Sequence, residues 1–242
     1  MSRKVIPIKY VTKTIPLAGE VHREGAHWVD TRGRPLRDIR ISVTDRCNFR
    51  CRYCMPKEKF EKEHLFLAHT EILSFEEIIR LARIAVENGV EKIRLTGGEP
   101  LLRKGIENLL TELGKLKTWN GKPLDVALTT NGSALQAKAK ALAAAGLKRL
   151  TVSLDAMDPE IYKQLNDVDF PIERTLAGIE AAQKAGISSV KINVVVKRGT
   201  NEKELIKIAE HFRGTGVIVR YIEYMDVGAT NGWRMDDVIP SR

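Results

Sequence analysis

The sequence predicts an α/β fold, a partial (βα)6 barrel of the TIM-like kind, and three observations carry that expectation. Strand-like and helix-like stretches alternate from about residue 36 to residue 242. That alternation calls for a parallel sheet with helical crossovers. The strands are apolar on one face and polar on the other, although strands of parallel sheets are usually apolar on both. No composition break divides this stretch, and α/β barrels of this length form one domain.

The strands are expected at Asp38–Thr44, Lys92–Thr96, Asp125–Asn131, Lys148–Asp155, Ser189–Lys197 and Val217–Tyr224. The helices are expected at Ser74–Asn88, Arg103–Lys117, Ser133–Ala145, Ile172–Lys184 and Asn201–Arg213, with a shorter one at Pro159–Asn166. Ser74 followed by Glu77 reads as a capping box. Gly89, Gly146 and Gly186 read as helix stops, and Asn201 as the cap of the last helix. Residues 1–35 form a basic N-terminal extension with Pro7, Pro16 and Pro35 and no sustained period, expected to be partly ordered at best.

By the two-residue strand period, Ile39, Ile41 and Val43 oppose Asp38, Arg40, Ser42 and Thr44. Ile93 and Leu95 oppose Arg94 and Thr96, and Val126 and Leu128 oppose Thr129 and Asn131. Leu150, Val152 and Leu154 oppose Thr151, Ser153 and Asp155, and Ile192, Val194 and Val196 oppose Lys191 and Asn193. The apolar set faces the helices; the polar set lines the interior near the carboxyl ends, where barrel enzymes keep their sites. Arg40, Arg94 and Lys191 are its cations, against Asp38 and Asp155 alone. Such a lining expects an anion, and the arginine fork suits phosphate.

The chain of 242 residues contains three cysteines, Cys47, Cys51 and Cys54, in a C-x3-C-x2-C run. Three thiolates can hold three irons of a four-iron cluster and leave the fourth open, whereas electron-transfer clusters normally take four cysteines. A zinc site would need four ligands, and only His64 and His69 follow nearby. A disulfide would leave one thiol over. A buried structural role fits poorly with the neighbours Asp45, Arg46, Asn48, Arg50 and Arg52. Thr96-Gly97-Gly98-Glu99-Pro100 follows the second strand, with glycines that permit close backbone approach and Glu99 placed to accept from an ammonium group. Neither a dinucleotide fingerprint nor a phosphate loop is present.

A net charge of +9 is compatible with nucleic acid, a membrane face or a phosphorylated metabolite. No block of five like charges and no RNA-binding aromatic motif is present, which points to a pocket rather than nucleic acid. No apolar run is long enough to span a membrane, and the amino terminus lacks the apolar stretch of a signal peptide. The expected location is cytoplasmic.

Cys47-x3-Cys51-x2-Cys54 with Tyr53, followed by Gly97-Gly98-Glu99-Pro100, resembles the radical S-adenosylmethionine superfamily. Arg40 through Cys51, Lys92 through Leu101, Thr129-Thr130-Asn131-Gly132, Val152-Ser153-Leu154-Asp155, Lys191-Ile192-Asn193 and Arg220 through Met225 look more narrowly like the GTP 3′,8-cyclases of molybdenum-cofactor biosynthesis. The resemblance implies the barrel of the radical SAM type and one [4Fe-4S] cluster on Cys47, Cys51 and Cys54. It also implies reductive cleavage of S-adenosylmethionine (SAM) to a 5′-deoxyadenosyl radical. That radical takes the 3′ hydrogen of GTP, and the ribose carbon then joins C8, giving (8S)-3′,8-cyclo-7,8-dihydroguanosine 5′-triphosphate. Carried over by position, Tyr53, Gly98, Ser153 and Met225 contact SAM, while Arg40, Arg94, Thr129 and Lys191 contact GTP. An electron donor and a downstream molybdopterin-pathway enzyme are the other implied partners.

The resemblance fails in one respect. The family continues to further cysteines that hold a second four-iron cluster, and no cysteine follows Cys54 here. The sequence is either an amino-terminal fragment or that of a protein without the second cluster. Binding of one cluster and SAM is expected, with weak or no turnover of GTP. Another radical SAM reaction, such as peptide modification, and a non-catalytic iron–sulfur or zinc module are the alternatives.

Overall fold

Period-two runs of β-branched and leucine residues build six parallel strands: β3 Asp38–Ser42, β4 Lys92–Thr96, β5 Asp125–Thr130, β6 Arg149–Ser153, β7 Ser189–Val196 and β8 Ile218–Glu223. They pair in chain order, β3-β4-β5-β6-β7-β8, in a computed structural model that describes residues 23–25, 27–60, 64–228 and 231–241. The outer strands β3 and β8 do not pair with each other, so the sheet is a barrel left open along one side. Ahead of it, β1 Arg23–Glu24 and β2 His27–Trp28 form a short antiparallel pair. The Trp28 amide donates to the Asn88 carbonyl (3.3 Å), fastening this hairpin below the sheet. The rest of the basic extension, residues 1–22, lies outside the described residues.

The crossovers are α1 Phe75–Glu87, α2 Ile106–Gly114, α3 Leu135–Ala144, the pair α4 Pro159–Asn166 and α5 Ile172–Lys184, and α6 Glu204–Phe212. Ser74 Oγ accepts from the Glu77 amide (3.1 Å), and Glu77 Oε2 from the Ser74 amide (2.7 Å), so the capping box forms as the spacing predicts. Gly89, Gly146 and Gly186 all adopt the positive φ of a helix stop. Helix α2 begins three residues later than expected, because Gly105 turns left-handed (φ 78°) just before it. Arg103 is instead used as a staple, donating to the carbonyls of Val43 (2.7 Å) and Leu73 (2.6 Å).

Asn201 is not the cap of α6. Its amide is fully buried; Nδ2 donates to the carbonyls of Asp155 (2.8 Å) and Val195 (2.9 Å), and Oδ1 accepts from the Lys197 amide (2.9 Å). One side chain thus satisfies three backbone groups where β6 and β7 run out.

The apolar faces pack as expected. Ile93, Leu95, Leu128, Val152, Ile192 and Val194 are buried beneath Ile78, Leu109, Leu142, Ile179 and Ile208 of the helices. Strand β7 shows the alternation without a break, with Val190, Ile192, Val194 and Val196 buried and Ser189, Lys191, Asn193 and Val195 half-buried. Burial of this kind is worth about 25 cal/mol per Å² of apolar surface, which fixes the register of every strand. A one-residue slip would turn the apolar set into the interior.

Replacing Asn201 tests its role directly. Asn201→Leu leaves two carbonyls and an amide without partners, and should cost about 2–4 kcal/mol in urea unfolding. Asn201→Ser should recover little of this, since a serine can cap a helix but cannot bridge three backbone groups. Full recovery with serine would restore the capping role.

Candidate active site

The cluster-type loop leaves β3 at Val43 and is shaped by residues far away in sequence. Phe49 is buried against Phe170 (centroids 5.3 Å apart), and the amides of Arg50 and Arg52 donate to the carbonyls of Asn166 and Leu165 (both 3.0 Å). Arg50 closes the loop on itself, donating from Nη1 to the carbonyls of Cys47 (2.7 Å) and Phe49 (2.9 Å). Cys47 and Cys51 are half-buried and Cys54 is exposed; none is in a disulfide.

Burial raises the pKa of all three thiols, and Cys51, next to Asp155 and Cys47, is held furthest above the usual thiol range. Three adjacent thiolates therefore need positive charge between them. Among the described residues no three His, Cys, Asp or Glu side chains converge as a single metal ion would require. One ion draws its sulfurs to ~2.3 Å from one point, whereas a cluster takes one thiolate on each of three irons. N–H donors already face one sulfur: the Phe49 amide lies 3.4 Å from Cys47 Sγ and Asn131 Nδ2 lies 3.8 Å from it. The donor set fits a four-iron cluster.

The loop after β4 leans on this segment. The Gly98 amide donates to the Thr44 carbonyl (2.7 Å) and the Glu99 amide to the Arg46 carbonyl (2.8 Å). A Cβ on Gly98 would stand 2.2 Å from the Arg46 carbonyl oxygen, and one on Gly97 would stand 2.4 Å from that of Thr44. Both glycines are needed because two backbones touch there.

Glu99 does not reach outward for an ammonium group as the sequence suggested. Its buried carboxylate accepts from Thr130 Oγ1 (2.7 Å), the Asn131 amide (2.7 Å) and the Leu101 amide (3.0 Å), which takes up both oxygens inside the protein.

Of the residues expected around SAM, Tyr53 and Met225 are joined near the carboxyl ends of the strands. Tyr53 donates its hydroxyl to Asp155 Oδ2 (2.6 Å), and Asp155 Oδ1 accepts from the Val195 amide (2.7 Å). Asn231 Nδ2 donates to the carbonyls of both Tyr53 and Met225 (each 3.2 Å), bringing the first and last strand ends together. Ser153 stands on the inner face, opposite Asn193 in register.

The inner face also gathers the expected cations and adds to them. Arg40 pairs in register with Arg94, and Arg220 with Asn193 beside Lys191. Lys191 has its pKa lowered by desolvation and then by Arg220, Arg149, Lys92 and Arg94, so all five side chains share one region of positive potential. Arg220, Arg149 and Lys92 escaped the sequence reading, yet their register places them on this face. So does Asp125, a carboxylate beyond the two expected. The carboxylates compensate only the strand starts, where Lys92 pairs with Asp38 (2.9 Å) and Arg149 with Asp125 (3.0 Å). Arg40, Arg94, Lys191 and Arg220 have no ion pair among the described residues. Nearby, Thr129 Oγ1 and Asn193 Oδ1 are buried with no hydrogen-bond partner.

A sequence model of the Radical SAM superfamily matches residues 41–212, well over half of the chain. The chain belongs to that superfamily. As a radical SAM protein it is 52% identical over 212 residues to a GTP 3′,8-cyclase of Acidothermus cellulolyticus, covering 88% of this chain and 58% of the relative. It is 44% identical over 210 residues to that of Staphylococcus haemolyticus, covering 87% of this chain and 60% of the relative. The radical SAM chain thus spans about three fifths of the length of these curated relatives. Its fold is similar to that of Streptococcus suis SuiB bound to S-adenosylmethionine, with a TM-score of 0.63 at 20% identity, covering 80% of this chain and 42% of that one. Radical SAM membership implies a [4Fe-4S] cluster and SAM, and Cys47, Cys51 and Cys54 are the residues suited to the cluster. Among the described residues no helix is long and apolar enough to cross a membrane.

Burial raises the Asp155 pKa from 3.8 to about 6 despite the Tyr53 and Val195 donors. The neutral acid's contribution to stability is full below about pH 4 and is lost as pH climbs through about 6. Cluster-free wild type should therefore lose stability relative to Asp155→Asn between pH 4 and pH 7, by an amount on the order of 3 kcal/mol. Urea unfolding across that range measures it, and a constant gap would show that Asp155 does not ionise there.

Proposed function

We propose that this protein is a GTP 3′,8-cyclase that uses SAM in molybdenum-cofactor biosynthesis, in the cytoplasm. The observation that carries the reading is the set of four uncompensated cations on the inner face, Arg40, Arg94, Lys191 and Arg220, beside the orphaned Thr129 Oγ1 and Asn193 Oδ1. A polyphosphate supplies the charge these cations lack, and a nucleoside's hydroxyls or ring atoms supply partners for buried polar groups that are costly to leave unmade. The 52% identity to a cyclase supports the same substrate.

Cys47, Cys51 and Cys54 would hold a [4Fe-4S] cluster, which would supply the electron for cleavage of SAM. The remaining work falls to the chain. Tyr53, Gly98, Ser153 and Met225 surround SAM at the strand ends. Arg40, Arg94, Thr129 and Lys191 hold GTP deeper in the barrel, with Arg220 as a fifth contact. Placing the sugar of one ligand against the sugar of the other is a positioning task, and proximity of reacting atoms is itself a large part of rate enhancement. An electron donor and an enzyme that consumes the cyclic product complete the proposed partners.

The test is anaerobic reconstitution, chemical reduction and addition of SAM with GTP, ATP or a peptide. In a chain extended at its carboxyl end to the full length of its relatives, formation of 5′-deoxyadenosine stimulated by GTP alone is expected; stimulation by ATP or peptide instead, or by none, sinks the assignment. Lys191→Ala and Arg220→Ala should each weaken GTP binding about 10- to 100-fold by calorimetry, as loss of a charged hydrogen bond predicts, with guanosine binding unchanged. Equal losses for guanosine would place these cations away from the phosphates.

A further inference from the structure

The carboxamide of Asn131 is held in one orientation by its surroundings. The Ser133 amide donates to Oδ1 (2.9 Å), a backbone donor that identifies this atom as the oxygen. The other end must then be the NH2 group, and it lies 3.0 Å from Asn48 Oδ1 and 3.8 Å from Cys47 Sγ. Two hydrogens meet two acceptors. The backbone beneath is fixed as well, since the Asn131 amide donates to Glu99 Oε2 (2.7 Å). Asn48, whose Nδ2 donates to Ser133 Oγ (3.0 Å), closes a ring between the cysteine loop and the turn after β5.

We propose that Asn131 donates a hydrogen bond to the Cys47 thiolate and thereby sets the reduction potential of the cluster. The proposal rests on the reading of Cys47, Cys51 and Cys54 as cluster ligands. In the bare protein the sulfur is a thiol and a weak acceptor. As an iron-bound thiolate it carries negative charge, and the bond from Asn131 becomes charge-assisted. Adding one electron increases the charge on the sulfurs, so a donor aimed at one of them stabilises the reduced form more than the oxidised form. Hydrogen bonds to cluster sulfurs are a known lever on potential, and residues beyond the direct ligands tune metal sites through them. Asn131 touches neither substrate by this account; it acts through Cys47. It also lies two residues beyond Thr129, on the strand end that faces the proposed nucleotide.

The experiment is a redox titration of the reconstituted protein followed by electron paramagnetic resonance. Asn131→Ala should retain its iron and sulfide and show a midpoint more negative than wild type, with the reduction equilibrium falling about tenfold, about 59 mV for one electron. Asn48→Ala disturbs the same ring but leaves the N–H over the sulfur, and its midpoint should match wild type. A wild-type midpoint in fully loaded Asn131→Ala overturns the proposal, and so do equal shifts in both variants, which would mean a loosened loop. If Asn131→Ala holds no cluster, asparagine-specific 15N labelling decides by pulsed resonance, in an Asn166→Ala background because the Asn166 carboxamide also lies beside a cysteine, its Oδ1 3.3 Å from Cys51 Sγ. A coupled side-chain nitrogen supports the donor and its absence overturns it. A wild-type protein that binds no iron–sulfur cluster removes the underlying reading, and the proposal with it.

Discussion

The Glu99 carboxylate, buried and accepting from Thr130, Leu101 and Asn131, is the junction through which the parts of the site are positioned. Burial raises its pKa while the three donors pull it down, so the geometry persists only while all three stay in place. Its backbone amide meanwhile donates to Arg46 (2.8 Å), one residue before the first cysteine. The ends of β4 and β5 and the start of the cysteine loop are therefore located by one residue. Moving any of them moves the others.

Close backbone contact is the second constraint, and it follows from the first. Because Glu99 must reach β5, the two residues before it run against Thr44 and Arg46 with no room for a side chain. The Gly-Gly pair is a packing requirement of two crossing loops. On the far side, α4 offers the carbonyls of Leu165 and Asn166 to the amides of Arg52 and Arg50. Residues rich in charge and without regular structure of their own are thus held between two scaffolds, as a site that must keep three sulfurs in fixed relation requires.

The strands and helices were legible because their signals are local. The period of two, the Ser74–Glu77 box and the glycine stops each act within a few residues, and the elements formed within a few residues of the expected ends. Arg40, Arg94 and Lys191 were legible by the same alternation, whereas Lys92 and Arg149, at the strand starts, were not. Arg220 was not, because β8 lies at the open edge, where Ile218, Arg220, Tyr221 and Glu223 are all exposed and blur the period. Asn201 and Glu99 were misread because their partners come from distant strands: Glu99 and Asn131 are 32 residues apart. Tyr53 and Asp155, 102 residues apart, meet for the same reason. Local propensity describes what an isolated asparagine or glutamate tends to do, and burial next to unsatisfied backbone overrides it.

Arg40, Arg94, Lys191 and Arg220 are each the third residue of their strand, while Asp38, Lys92, Asp125 and Arg149 are each the first. The first set cancels in pairs and the third does not, so the electrostatic potential changes along the barrel axis. An anion drawn in from the carboxyl ends meets the strongest attraction at the unpaired cations of the third positions and a weaker one below, where Lys92 and Arg149 each have a carboxylate partner. The axis behaves as a depth gauge: an anionic group is held best at the level of the unpaired cations.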